Sequence, residues 1–276
     1  HLDCRRQRQM CIRDRYTNTT TGANTAVGYT ALRLNTTSGN TAVGHATLYN
    51  NSSGGENVAM GVSAAYSNTT GMHNTAIGYG ALITNVDGDA NTAVGRKALF
   101  TFEAASDGQG ENTAVGSLAA FALTTGTGNT AVGKQALCNS TTASDNTAIG
   151  LQALGANTLT GGNNVGVGKL ALYDLVGGTS NVAIGTEAAQ NLTSGVQNVV
   201  IGRQALNTAT NVSNAVIIGL YAGLDLNSSA ADGSVLIGRS AGENITNGAR
   251  NTAIGFNAML DSVGAGDNAV LGYEAL

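Results

Sequence analysis

A short unit, N-T-A-[VI]-G-x-x-A-L, returns along nearly the whole chain and constrains its fold more than any other feature. Aligned on the glycine, its copies fall at Gly28, Gly44, Gly61, Gly78, Gly95, Gly116, Gly133, Gly150, Gly168, Gly185, Gly202, Gly219, Gly238, Gly255 and Gly272. Ten of the fourteen spacings are 17 residues; the others are 16, 18, 19 and 21. The extra residues sit in Gly/Ser/Asn/Asp-rich stretches, as in Phe102 to Glu111 and Asn227 to Gly233. Insertions confined to one point of the unit mark that point as the solvent-facing loop. A 17-residue period is too short for helical-hairpin repeats or propeller blades, which need about 33 to 50 residues. It suits one coil of an all-β, parallel β-solenoid of about fifteen coils, spaced by ~4.8 Å and so roughly 70 Å long.

Each column of the repeat then reads as a position in the coil. The residue before the glycine is aliphatic throughout, and β-branched side chains at a fixed place in successive coils stack well. This column is expected to form the spine of the core: Val27, Val43, Ile77, Val94, Val115, Val132, Ile149, Ile184, Ile201 and Ile254, with Met60 in the same file. Two residues earlier stands Thr in eight copies and Val in six, so side-chain shape matters more there than the hydroxyl. Strand alternation puts the two columns on one face, assigned to the interior. The residue between them is Ala in most copies and Val200, Ile217, Leu236 and Val270 towards the C-terminal end. Assigned to the outside, that apolar stripe calls for cover by another chain, since strands apolar on both faces are buried on both. Ala-Leu after the bend is read as a second strand that adds one small and one large core residue per coil. Asn opens thirteen of the fifteen units. The column Asn24, Asn40, Asn57, Asn74, Asn91, Asn112, Asn129 and Asn146 is read as a structural ladder of stacked side-chain amides.

Composition matches a narrow, regular core. There is no Pro or Trp, aromatic residues make up 4%, charged residues 11%, and Gly numbers 39. Irregular packing needs bulky pieces, and this chain has few. Residues 1–15 depart from everything that follows. They carry five arginines and two of the three cysteines, and the string RRQRQMCIRDR resembles translated sequencing-adapter DNA. Residues 1–15 are therefore set apart from the repeat domain, 16–276. Without their five arginines and two aspartates the net charge moves from −4 to −7. That excess of acid argues against nucleic acid, whose phosphates require clustered Lys and Arg. Only Cys138 then remains, so no disulfide framework forms within the chain. No apolar run is long enough to span a membrane. The repeat is expected to be cut off at both ends, because Leu276 falls inside a unit.

The unit NTAVGYTAL resembles the NSVAIGxxA repeats in the left-handed parallel β-roll heads of YadA-type trimeric autotransporter adhesins. It is more similar still to NTAVGYxALxxNTTG arrays of phage tail-fibre-like and bacterial surface proteins. The likeness runs from Asn24 to Leu276. It implies a left-handed roll, a homotrimer packed along a common axis, and an extracellular place on a bacterial surface or a virion. The implied role is a structural or adhesive shaft that binds host surface protein, matrix or glycan, with no enzymatic activity. The 17-residue coil and the frequent Thr depart from the adhesin pattern.

Several stretches imitate functional motifs. Gly128 to Gln135 approaches a phosphate-binding loop, but Gln135 lacks the hydroxyl that would meet Mg²⁺. Asp87 and Asp89 supply too few oxygens for Ca²⁺ without partners in adjacent loops. His45 and His73 have no ligand-spaced companions, and Cys138 no His partner, so neither a metal nor a cofactor nor a catalytic group is assigned. Tyr29, Tyr79, Phe256 and Tyr273, just after the bend, can stack on sugars, although packing over the neighbouring coil is the simpler expectation. An ice-binding solenoid with an outward Thr array is the alternative function; placing the Thr column inside argues against it.

Overall fold

The computed structural model describes residues 22–226, 231–264 and 266–276. The basic segment 1–15 lies outside the described residues. The chain divides into two compact units, residues 1–134 and 135–276. The first holds β1 (Thr25–Val27), β2 (Thr41–Val43), β3 (Val58–Met60), β4 (Thr75–Ile77), β5 (Thr92–Val94), β6 (Thr113–Val115) and β7 (Thr130–Val132). The second holds β8 (Thr147–Ile149), β9 (Val165–Val167), β10 (Val182–Ile184), β11 (Val199–Ile201), β12 (Val216–Ile218), β13 (Val235–Ile237), β14 (Thr252–Ile254) and β15 (Ala269–Leu271). Within each unit every strand pairs in parallel with the next in chain order, and equivalent repeat positions face each other: Ala26 opposite Ala42, Ile184 opposite Ile201. The protein is an all-β parallel solenoid with one three-residue strand per coil. Among the described residues no helix is long and apolar enough to cross a membrane.

The repeated glycine makes this register possible. At Gly95 φ is +137°, a conformation open to glycine and strained for L residues, and a Cβ there would lie 2.4 Å from the carbonyl oxygen of Gly116 in the next coil. The glycines thus stand in file, backbone against backbone. The arc after each glycine is not a second strand but a run of turns in which backbone handedness alternates. Residues two and four places on are left-handed, as at Thr30 (φ 58°) and Leu32 (φ 49°). A left-handed Leu costs on the order of 1–2 kcal/mol. Burying its whole side chain returns roughly 1.5–3 kcal/mol, and coil-to-coil hydrogen bonds such as Leu32 N–H to Thr47 O (3.1 Å) hold the arc.

The strand is turned over relative to the expectation from sequence. The middle residues Ala42, Ala76, Ala93, Ala131 and Ala148 are fully buried, as are Ile217 and Leu236. The columns on either side face outward. Val27 is 56% exposed, and Val43, Ile77, Val94, Val115, Val132, Ile149, Ile184, Ile201 and Ile254 are all exposed or half-buried. These ten residues are therefore not the core, and the Ala stripe is not a surface. The reason is the width of the coil. The strand faces its own arc across a gap already filled by Ala and Leu, as Ala81 and Leu82 fill it in one coil, leaving room for one small side chain. Even at Gly166, in the middle of β9, an added Cβ would meet Ala171 O at 3.2 Å and Leu154 Cγ at 3.4 Å. Two β-branched side chains per strand cannot enter that space. Where the middle residue grows, the arc shrinks. Ile217 is matched by Gly223 in its own coil, and Leu236 by Gly242, where an added Cβ would lie 2.8 Å from a Leu236 methyl.

Two polar files run inside this apolar frame. Asn40, Asn57, Asn74, Asn91, Asn112, Asn129 and Asn146 are buried, with Asn24 half-buried at the head of the file. In the first unit each backbone N–H donates to the Oδ1 of the Asn one coil before, as Asn57 does to Asn40 (2.9 Å). The side-chain amides reach loop carbonyls such as Gly71 O (2.9 Å from Asn57 Nδ2). A second file occupies the loop corner. Asn51 donates to Asn35 Oδ1 (2.6 Å), Asn68 to Asn51 (2.7 Å) and Asn85 to Asn68 (3.1 Å). It stops at Phe102, which has no donor to offer, and Asn85 Oδ1 is left buried without a partner. In later coils Leu123, Leu175 and Leu192 take that corner.

Candidate functional site

Turning the strands over creates the main candidate surface. Three-residue strands bounded by an Asn corner and a glycine corner present two side chains each to the outside, repeated at the ~4.8 Å strand spacing. In the first unit the outer file nearest the Asn corner is Thr25, Thr41, Val58, Thr75, Thr92, Thr113 and Thr130. In the second it is Thr147, Val165, Val182, Val199, Val216, Val235, Thr252 and Ala269. The file beside the glycine is aliphatic in both units. No charged residue stands in any outward strand position, and this holds for all fifteen strands. Met60 at 47% and Ile184 at 40% exposure show how much apolar surface is uncovered. Contiguous apolar surface of this kind marks contact surfaces in soluble proteins.

The arc after the glycine forms a second surface, with a different chemistry. Side chains one and five places beyond the glycine stack over their counterparts in the adjacent coil: Tyr29 on His45 (5.5 Å), Tyr49 on Tyr66 (5.1 Å), Phe100 on Phe121 (5.3 Å) and Phe256 on Tyr273 (5.1 Å). The aromatics singled out from the sequence thus divide. Tyr29, Phe256 and Tyr273 stack on a ring of a neighbouring coil and Tyr79 is in no such ring pair among the described residues, although Tyr29, Tyr79 and Tyr273 are all exposed. Cations lie over several rings, with Arg33 above Tyr49 (5.1 Å) and Lys97 above Phe100 (4.7 Å). Arg33 also donates to the Tyr49 hydroxyl. Tyr49, Tyr66, Phe100 and Phe121 stand at an arc position to which the sequence reading assigned no role. The signal was their recurrence at a constant offset from the glycine.

The remaining candidates have local partners. Asp89 Oδ1 accepts the N–H of Met72 (2.6 Å), and His73 faces Glu56 at 3.4 Å. Glu103 accepts the N–H of Val86 (3.0 Å); burial and the neighbouring Asp87 carboxylate push its pKa up against that bond. Cys138 is a buried free thiol, held protonated by its surroundings. Among the described residues no three His, Cys, Asp or Glu side chains gather where they could hold a metal ion. The segment 128–135 continues the coil pattern, with Gly128 N–H bonded to Gly110 O (3.2 Å). No protein-family model and no curated protein matches the chain.

Proposed function

We propose that the chain is a non-catalytic structural solenoid that associates with further copies of itself, as a trimer, through the outward strand face. It then displays its arcs and loops to an extracellular partner, on a cell surface or a virion. The observation that carries this reading is the uncharged outward face, two side chains wide in every strand and aliphatic along the glycine side. A second copy presents the same face, so no buried charge has to be desolvated on contact. Because the contact is continuous from coil to coil, its apolar area grows with coil number while the loss of rotational and translational freedom is incurred once. The resemblance to trimeric β-roll heads agrees with it. Sedimentation equilibrium of the chain tests the reading: a trimer is expected, and Ile184→Lys with Ile201→Lys is expected to weaken association at least a hundredfold. A folded monomer at micromolar concentration would overturn it.

A second reading gains from the same surface. Six of the seven outer residues in the first unit's Asn-side file are Thr, spaced by one coil or, across Val58, two. The sequence argument against an ice-binding array placed those hydroxyls inside; they face outward. Thermal hysteresis of a monomeric chain would favour this reading over self-association.

A further inference from the structure

Charge in the first unit is sorted by position in the coil. All four of its Lys and Arg among the described residues, Arg33, Arg96, Lys97 and Lys134, fall within the six residues after a glycine. All six of its Asp and Glu among the described residues, Glu56, Asp87, Asp89, Glu103, Asp107 and Glu111, fall on the loops. The arc side of this unit therefore carries four positive charges and no carboxylate. The same arc positions in the second unit carry three cations, Lys169, Arg203 and Arg239, against six carboxylates. The chain's net negative charge hides a basic strip confined to one unit. From β1 to β7 that strip extends roughly 30 Å.

We propose that the basic, aromatic arc side of the first unit binds a carboxylated polysaccharide, a chain of uronate-bearing sugars. This deepens the displayed-surface reading above and rests on it, since the strand face is the side given to self-association. Four cations spread over seven coils give charge complementarity to a polyanion without the dense Lys and Arg that a phosphate backbone calls for. The rings point the same way. Base binding needs free aromatic faces, but Tyr49 lies on Tyr66 and Phe100 on Phe121, so each ring covers one face of the other, and Arg33 and Lys97 lie over Tyr49 and Phe100. Phenols and cations are exposed along the same strip: Tyr29, Tyr79, Arg96 and Lys134 all stand one place after a glycine, with Tyr79 and Arg96 in adjacent coils. Those groups hydrogen-bond sugar hydroxyls and pair with carboxylates. The cation–π contacts hold Arg33 and Lys97 in place on the surface, which lowers the entropy lost on binding.

The test is titration of the full chain with polygalacturonate, its fully methyl-esterified form, and single-stranded DNA of equal charge. Polygalacturonate is expected to bind, more weakly as salt rises, with the ester at least tenfold weaker. Arg96→Glu with Lys97→Glu is expected to lose at least tenfold. Lys134→Glu alone, at an exposed position that leaves packing untouched, should lose about threefold, and Arg203→Glu with Arg239→Glu in the second unit less than twofold. DNA binding as tight as polygalacturonate would overturn the proposal in favour of a nucleic-acid surface, and no binding of the acid form would overturn it outright. Sedimentation read on the same samples separates the two claims: a monomer that binds polygalacturonate removes only the assembly, and a trimer that does not removes only this surface.

Discussion

The two units use one backbone frame for two chemistries. In the first, β1 to β7 show mostly Thr beside Val, the middle strand residue is always Ala, and Asn35, Asn51, Asn68 and Asn85 line the loop corner. In the second, Val replaces Thr in five of eight strands, middle residues rise to Val200, Ile217 and Leu236, and Leu175 and Leu192 fill the corner. Apolar volume thus moves into both faces of the strand without disturbing register, and the two largest middle residues, Ile217 and Leu236, are offset by Gly223 and Gly242 in the same coil. The lesson is that glycine file and Asn file fix the coil, while the remaining positions are free to vary in pairs.

The largest effect is expected where both units must agree. Gly95→Ala and Gly202→Ala place a Cβ 2.4 Å and 2.3 Å from the next coil's glycine oxygen, in a backbone conformation closed to L residues. Each should lose about 3–5 kcal/mol in chemical denaturation. A much smaller loss in one unit would mean that the units do not share the frame. Next is the exchange of volume peculiar to the second unit. Leu236→Ala should cost about 2–5 kcal/mol as a cavity opens. Adding Gly242→Leu should recover part of it, since Leu sits with φ near 50° at the equivalent Leu32 and Leu48. Failure to recover would break the compensation argument.

The Asn corner of the first unit predicts a graded pair. Asn51→Ala removes the donor to Asn35 Oδ1 and Gly54 O and the acceptor for Asn68, and should cost about 2 kcal/mol. Asn85→Ala should cost less, because its Oδ1 already lacks a partner beside Phe102. Equal losses would show that the ladder does not end there. The smallest effects concern pH, with opposite signs in the two units. Glu103 has a raised pKa in the fold, so the folded chain binds its proton more readily and the penalty is relieved as pH falls through the carboxylate range. Asp267 has a lowered pKa from its hydrogen bonds to Arg250 (2.6 and 2.8 Å), so its contribution is present at neutral pH and is lost on acidification. Denaturation midpoints of Glu103→Gln and Asp267→Asn followed from pH 7 to 3 should diverge from the parent chain in opposite directions.

Much of the frame was legible in the residues. The glycine spacing gave coil length, coil number and the loops that absorb insertions, and the paired columns gave the strand. The surface of interest was legible only up to its sign. Thr/Val interchange at positions such as Thr41 and Val58 looked like a rule of core shape, and the Ala column looked like an outward stripe to be covered by another chain. The contrary signal was present in the pairs Ile217 with Gly223 and Leu236 with Gly242, where one column shrinks as the other grows, as only facing side chains do. The second Asn file and the arc aromatics were missed because they lie where the repeat consensus is weakest.

What the sequence by itself determined is the period, the stacking of like on like, and the positions where glycine and Asn must recur, since these follow from local conformation and one-coil hydrogen bonds. Which face of each strand is inside was decided by tertiary structure alone. A strand apolar on both faces satisfies the alternation rule either way up. The choice falls to the width between strand and arc, and that gap admits one alanine opposite one leucine and turns every valine and isoleucine beside it outward.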